Sequence, residues 1–255
     1  MRSIVGTLIS VLMFGGGLAV LQMPRLQART SQQTIDVDAE AAAQALTGAQ
    51  LELWKSAPAL GFDNLVADWT FLGFLQYFGN SEARAATDYS VTPQFFEVIV
   101  NRDPYFMGAY LFLWGTVSFY AAQPETTVRL LEQGIESLSP TFPPESYILW
   151  RYKAIDELLF LGDAQAAQRS FTTAAQWADQ SSAPGAANAA NVSRNTAEFL
   201  KQDPDSTEAQ VNSWFQIWSN AVNEETQAVA LERIRNLGFD LVFEGDRATL
   251  VPLQP

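Results

Sequence analysis

Cysteine and histidine are both absent from this chain of 255 residues. Without cysteine the protein can form no disulfide bond and has no thiol nucleophile. Without either residue it has no zinc site of the usual Cys/His kind and no Ser-His or Cys-His catalytic arrangement. Carboxylates, Lys, Tyr and Ser are the side chains that remain for chemistry. The lack of cysteine is compatible with an oxidising compartment but does not identify one.

Basic residues are scarce, since the chain has 15 Lys and Arg against 28 Asp and Glu. All the acidic residues lie after Arg29, so residues 31–255 carry a net charge of −16 (12 − 28). A body this acidic repels the phosphates of nucleic acids and the headgroups of anionic lipids. We therefore expect no nucleic-acid binding, and we expect protein partners that are membrane-associated or have a basic surface.

Charge is also missing from the twenty residues Ile4–Met23. At a rise of about 1.5 Å per residue, a helix of this length spans roughly 30 Å, the thickness of the hydrocarbon core of a bilayer. Signal peptides usually have a shorter apolar region of about 7–15 residues. We expect residues 1–29 to be a single membrane anchor, with a cleaved signal segment as the alternative, and residues 30–35 to be a polar linker.

The orientation of this anchor is almost balanced by charge, because Arg2 precedes the apolar run and Arg25 and Arg29 follow it. A short N-terminal tail before a long body usually leaves the body outside the cytoplasm. The expected location of the body is therefore the periplasm or an equivalent lumen.

The body, over residues 36–238, shows helical periodicity divided by glycine and proline. Trp69-x-x-Leu72-Gly73 opens one helix, and Asp103-Pro104 ends the next. Leu111-x-x-Trp114-Gly115 repeats the opening spacing, and Pro140 follows Pro104 by 36 residues. A run of small, large and small residues, Ala167-x-x-x-Phe171-x-x-Ala174, has the spacing that lets two helices approach closely. Residues 239–255 alternate apolar and polar residues, which predicts a small β-hairpin.

These motifs resemble the tetratricopeptide repeat (TPR) over about residues 60–180, and less clearly as far as residue 221. The chain departs from the family pattern at the connection 80–91, which is about seven residues too long, and at Tyr77, which arrives one residue late. The resemblance implies an all-α, TPR-like α-solenoid of about three to four helix pairs. The chain is also similar to small bacterial TPR-type proteins with one N-terminal transmembrane helix.

The resemblance also implies a concave groove, because the first helix of each TPR pair lines one. The groove residues carried over to this chain are Thr70, Phe74, Tyr77, Phe112, Thr116, Phe119, Tyr152, Asp156 and Leu159. Aromatic anchors in a groove are suited to binding a helix or peptide. The alternative is that these residues belong to the core, or are covered by an N-terminal helix over 39–57 that folds back into the groove.

The function that this sequence favours is a non-catalytic scaffold or assembly subunit of a membrane-associated complex, without cofactor, metal or catalytic residue. The alternative is a cell-envelope glycan hydrolase, or its regulatory subunit, that uses paired carboxylates. The available pairs are Asp63 with Asp68 and Glu97 with Asp103. A third reading is a purely structural subunit that fills space in a large complex.

Overall fold

The structure, a computed structural model, describes residues 36–202, 204–245 and 247–253. The predicted anchor and linker, residues 1–29 and 30–35, lie outside these ranges. No helix within them is both long and apolar enough to cross a bilayer.

Eleven α-helices and one β-hairpin make up the described part of the chain. The helices are α1 (Val37–Ser56), α2 (Asp63–Gly79), α3 (Ser81–Ala86), α4 (Thr92–Arg102), α5 (Met107–Leu113), α6 (Pro124–Ile135), α7 (Tyr147–Leu159), α8 (Ala164–Gln180), α9 (Ala186–Leu200), α10 (Thr207–Asn220) and α11 (Glu224–Asn236). A π-helical turn, Trp114–Ser118, continues α5. The expected helical body followed by a small C-terminal hairpin is confirmed.

The hairpin pairs β1 (Phe239–Glu244) with β2 (Arg247–Pro252) in antiparallel register, with Phe239 opposite Pro252. Gly238 ends α11 with a positive φ of 86°, a conformation that glycine adopts without strain. The sequence therefore located this change from helix to strand correctly.

Polar side chains begin several of the helices. Asp163 accepts a hydrogen bond from the Ala166 backbone N–H at 2.7 Å at the start of α8, and Asn223 does the same for Thr226 at 2.8 Å in α11. Asn80 caps α3 in the same way, within the connection expected to be a polar loop over 80–91. The extra length of that connection is thus used for a short helix.

Neighbouring helices pack in sequence order, with α6 on α7, α7 on α8, α8 on α9 and α10 on α11. Near the N-terminal end of the described chain, α1 and α2 both pack on α4. The main core is formed by residues from the part of the chain between α1 and α7. Its fully buried members include Phe74, Phe96, Leu113, Leu130 and Leu149.

Small residues set the closest helix contacts. Ala167 and Ala174 are completely buried in α8, with Phe171 filling the space between neighbouring helices, as the spacing of the three residues predicts. In α6, Gly134 lies against the ring of Tyr110, and a Cβ atom there would overlap the tyrosine hydroxyl. Glycine is therefore required for this packing.

A second apolar cluster forms where α10 and α11 fold back onto the middle of the chain. Trp214 and Ile217 from α10 and Ile234 from α11 pack with Phe160. The Thr226 hydroxyl donates to the backbone carbonyl of Tyr120, at 3.0 Å, across a separation of 106 residues. The C-terminal helices are thus part of the same packed unit as the central ones.

Candidate functional site

One face of α2 is apolar and exposed. Leu65, Trp69 and Leu72 follow each other at helical spacing and are 63%, 68% and 53% exposed. The opposite face of the same helix, which includes Ala67 and Phe74, is completely buried. Contiguous exposed apolar side chains on a folded protein mark binding surfaces more often than isolated ones do.

The exposed face borders a groove between α1 and α2. Because both helices pack on α4 rather than closing on each other, a groove of about 380 Å³ runs between them. Trp54 and Leu51 line it from α1, Trp69 and Gly73 line it from α2, and Phe95 lines it from α4. This volume falls within the range of about 300–1,000 Å³ that is usual for binding clefts.

Arg102 fixes one end of the groove. Its guanidinium donates to Asp63 at the start of α2, at 2.9 Å, and forms an ion pair with it. The same guanidinium donates to the carbonyl of Trp54, at 2.7 Å, and to that of Ala57, so it caps the C-terminal end of α1. One side chain of α4 therefore holds α1 and α2 in place, and its planar donors suit several acceptors at once.

Arg84 fixes the other end. It is buried, donates to the Gln44 side chain of α1 and to the backbone carbonyl of Asp88, and lies 3.9 Å from the ring centroid of Tyr77. The Gln44 amide in turn reaches the Asp88 carboxylate. Burial raises the pKa of Tyr77, whose hydroxyl donates to the same Asp88 carbonyl at 3.0 Å. The groove is thus tied by one arginine at each end.

Ion pairs also join α1 to the central helices. Lys55 of α1 and Arg129 of α6 each form a 2.7 Å ion pair with Glu97 of α4. Burial on its own would raise the pKa of Glu97, but the hydrogen bonds from these two cations hold it below its ordinary value. Glu97 is therefore ionised near neutral pH and used in packing contacts.

The helices around the groove are acidic. Residues 37–86 carry two basic and six acidic side chains, a net charge of −4 (2 − 6). Both basic residues are engaged in the contacts given above. Within the described ranges, Asp38, Glu40, Asp68 and Glu82 form no ion pair, and Glu40 lines the groove itself. The apolar groove therefore lies in a negative local field.

The structure places the first three predicted groove residues in or beside this groove. Thr70 is buried and donates to the Val66 carbonyl at 2.7 Å, so its hydroxyl is already satisfied. Phe74 is completely buried in the main core, and Tyr77 is half-buried at the Arg84 end. Of the three, Thr70 and Tyr77 line the groove.

The next three predicted residues lie along α5 and its continuation. Phe112 is 37% exposed, and its ring packs edge-on against Phe71 at 5.3 Å. Thr116 is buried and donates to the Phe112 carbonyl at 2.6 Å. Phe119 is half-buried and packs edge-on against Phe160 at 5.3 Å, beside the α10–α11 cluster.

The last three predicted residues are on α7. Tyr152 is half-buried and stacks on Trp114 at 4.7 Å with nearly parallel rings. Asp156 is completely buried, and Leu159 packs against the α10–α11 cluster. Phe119 and Leu159 are thus covered by the C-terminal helices α10 and α11, rather than by the N-terminal helix α1.

Asp156 is at the centre of a buried polar contact. Its two oxygens accept from Trp114 Nε1 at 2.8 Å and from Ser118 Oγ at 2.5 Å, and Ser118 also bonds to Thr127 at 2.8 Å. Burial raises the pKa of Asp156 to about 7, although these hydrogen bonds act in the opposite direction. The π-helical turn places Trp114 and Ser118, four residues apart, on the same carboxyl group.

The carboxylates considered for catalysis lie in different environments. Asp63 is paired with Arg102, Glu97 is paired with two cations, and Asp103 accepts from the backbone N–H two residues later at 3.0 Å. Asp68 is exposed. In the part of the chain that the structure describes, no group of three or more such side chains is arranged to hold a metal ion.

Sequence reasoning did not single out the exposed side of α2 or the two arginines at the ends of the groove. A signal for the first was present, because α2 has large apolar residues on every side and only two charges, Asp63 and Asp68. A helix of this composition has more apolar surface than one buried face can use. The arginine contacts join residues about 40–48 positions apart, so no local pattern announces them.

Comparison of the chain with protein-family models, with curated proteins and with solved structures found no match.

Proposed function

We propose that this protein is a non-catalytic scaffold or assembly subunit of a membrane-associated complex, and that the groove between α1 and α2 is its binding surface. The observation that carries the proposal is the exposed row Leu65, Trp69 and Leu72 beside a groove that also contains Trp54. Tryptophan is among the residues that contribute most to binding at protein interfaces.

The order of the helices supports a TPR-like solenoid as the framework for this surface. From α6 to α9 each helix packs on the next in chain order, and small residues such as Ala167 and Ala174 are buried in α8 between its neighbours. Solenoids of helix pairs use extended surfaces to hold other proteins. The groove proposed here lies at the N-terminal end of the array.

The membrane part of the proposal depends on the sequence of residues 4–23, which has no charge and the length of a bilayer span. With such an anchor, the body would be held beside the membrane on its periplasmic or lumenal side. Partners would then be met at the membrane surface, where tethering raises their effective concentration.

The test is to isolate the full chain from its own membranes in mild detergent and to identify co-purifying chains by mass. The proposal predicts at least one partner in fixed stoichiometry. Recovery of the chain alone, under conditions in which known membrane complexes of the same cells stay intact, would contradict a stable subunit role.

The alternative role as a glycan hydrolase can be separated by the Asp63→Asn and Glu97→Gln variants. A scaffold keeps its partners in these variants if the fold is intact. Loss of a glycan-cleaving activity with partner binding unchanged would instead support the enzyme.

A further inference from the structure

We infer that the groove between α1 and α2 binds a basic amphipathic helix of a partner protein. This inference rests on the proposed scaffold function and makes it more specific, since it states the chemistry of the partner segment. The shape of the groove, its apolar residues and the charge of the surrounding helices all favour such a segment.

The shape of the groove suits a helix. Its two walls are antiparallel helices, and one arginine holds them at each end. Between these two ends the groove is open along its length. A helix laid in such a groove presents apolar residues at spacings of three and four. On the receptor side, Trp69, Gly73 and Gln76 line the α2 wall at the same spacing, so ridges of the two helices can interlock.

The apolar residues supply anchors of the kind that bind helices tightly. Trp69 and Trp54 are 68% and 43% exposed, and they border a groove whose floor is formed by the buried residues Leu51 and Phe95. An incoming leucine or phenylalanine side chain would be enclosed between the tryptophans and this floor. The area removed from water would be largely apolar on both sides.

The charge of the helices around the groove, where Glu40 lines the groove itself, determines the sign of the partner. Asp38, Glu40, Asp68 and Glu82 form no ion pair within the described ranges, and residues 37–86 have a net charge of −4 (2 − 6). Lysine and arginine flanking the apolar face of the partner helix would meet these carboxylates. Such complementarity speeds association and helps to exclude wrong partners.

The same charges argue against two other occupants. A second copy of the chain would bring two acidic surfaces together, which is unfavourable. An anionic lipid surface would be repelled for the same reason. Sedimentation of the full chain at several concentrations measures a second copy, and co-sedimentation with anionic vesicles measures a lipid surface.

The experiment uses the full chain in nanodiscs of phosphatidylcholine, with empty nanodiscs as the blank. The probe is a fluorescent twenty-residue peptide with leucine on one helical face and lysine on the other, and binding is followed by anisotropy. Two control peptides are used, one with glutamate in place of every lysine and one with the same composition in scrambled order. The inference predicts saturable binding of the Leu/Lys helix at least tenfold tighter than either control.

Variants locate the binding surface. Trp69→Ala should weaken binding of the Leu/Lys helix at least tenfold, and Trp54→Ala should weaken it several-fold. The matched controls are Phe199→Ala and Val192→Ser, since these apolar residues of α9 are 57% and 44% exposed and lie outside the groove. The controls should change the affinity less than twofold. Glu40→Gln should weaken binding two- to fivefold and reduce its dependence on salt.

Several results would overturn the inference. Equal losses in Trp69→Ala and Phe199→Ala would show that the groove is not the site. Equal binding of the glutamate peptide would show that charge does not select the partner. A concentration-dependent dimer that Trp69→Ala abolishes would assign the face to a second copy, and binding of anionic vesicles abolished by the same variant would assign it to lipid.

The two proposals fail separately. If native membranes yield a stoichiometric partner that Trp69→Ala still retains, the scaffold function stands and the groove inference is wrong. If the Leu/Lys helix binds at Trp69 and no partner is recovered from membranes, the groove chemistry stands and the stable-subunit function is wrong.

Discussion

A tryptophan is exposed near one end of the helical array and buried near the other. In α2, near the N-terminal end, Trp69 is 68% exposed beside an open groove. In α10, near the C-terminal end, Trp214 is 1% exposed, and α11 and Phe160 cover it. Trp69 therefore remains available for contacts with another molecule, whereas Trp214 is used in packing. Two causes act together: α2 has large apolar residues on every side, and α11 folds back to cover α10.

The largest expected effect comes from removing the aromatic residue on the covered side. Trp214→Ala should lower the free energy of unfolding by about 3–5 kcal/mol, because it leaves a cavity among Phe160, Ile217 and Ile234. Urea denaturation of the full chain in mild detergent, followed by circular dichroism, measures this. A loss below about 1 kcal/mol would show that the C-terminal helices are not firmly packed on the centre.

The second prediction tests the contacts of Arg102 that hold α1 and α2 beside the groove. Arg102→Ala should cost about 2–3 kcal/mol, since charged hydrogen bonds to Asp63 and to the end of α1 are lost together. The matched control is Arg129→Ala, whose side chain is 55% exposed and whose ion pair should contribute less than about 0.5 kcal/mol. Equal losses in the two variants would contradict the role given to Arg102 at the end of the groove.

The third effect concerns the buried carboxyl group between the two ends. Burial raises the pKa of Asp156 to about 7, above the ordinary value of 3.8. The native state therefore holds a proton that the unfolded state releases between these values, so this contribution to stability is complete below pH 3.8 and is lost as the pH rises through 7. Nearby Glu157 and Glu125 also favour the neutral form.

Asp156→Asn should remove that dependence while keeping the bonds to Trp114 and Ser118, because the amide oxygen can accept and the amide nitrogen can donate. From pH 5 to pH 7 the free energy of unfolding of the wild type should fall by about 2 kcal/mol relative to that of the variant. Parallel urea titrations at the two pH values measure the difference. If the stability difference between wild type and variant were the same at both pH values, Asp156 would be ionised over this whole pH range.

The smallest expected effect on stability comes from the exposed side, and it sharpens the comparison. Trp69→Ala should change the free energy of unfolding by no more than about 0.5 kcal/mol, since two thirds of the side chain is already in water. The same urea titration provides the value. A loss above about 2 kcal/mol would mean that Trp69 is part of the core, and the contrast with Trp214 would disappear.

The local structure could be predicted from the sequence where short-range signals determine it. Gly238 marked the end of the last helix, the alternation after it marked the hairpin, and Ala167, Phe171 and Ala174 marked a close helix contact. Each of these depends on residues within one or two helical turns. The short helix α3 was missed, since a capping asparagine in a polar connection is a weak signal.

The candidate site could not be predicted in the same way. The apolar residues of α2 were recognised, but the pattern alone did not decide that Leu65 and Trp69 would be exposed and Phe74 buried. That choice depends on α4 and on contacts of Arg102 with residues 39–48 positions away. The cover over Phe119 depends on α10 and α11, almost one hundred residues later in the chain. The role of the nine predicted groove residues in partner binding stays a prediction.

The most direct test of the binding groove is photo-crosslinking in native membranes. Trp69 is replaced by p-benzoylphenylalanine in one sample and Phe199 in the other, and the crosslinked peptides are sequenced by mass spectrometry. The expected result is a crosslink from position 69 to a basic amphipathic segment of another protein, with none from position 199. Crosslinks from position 69 only to lipid or to a second copy of this chain, or equal capture from both positions, would contradict the proposed groove.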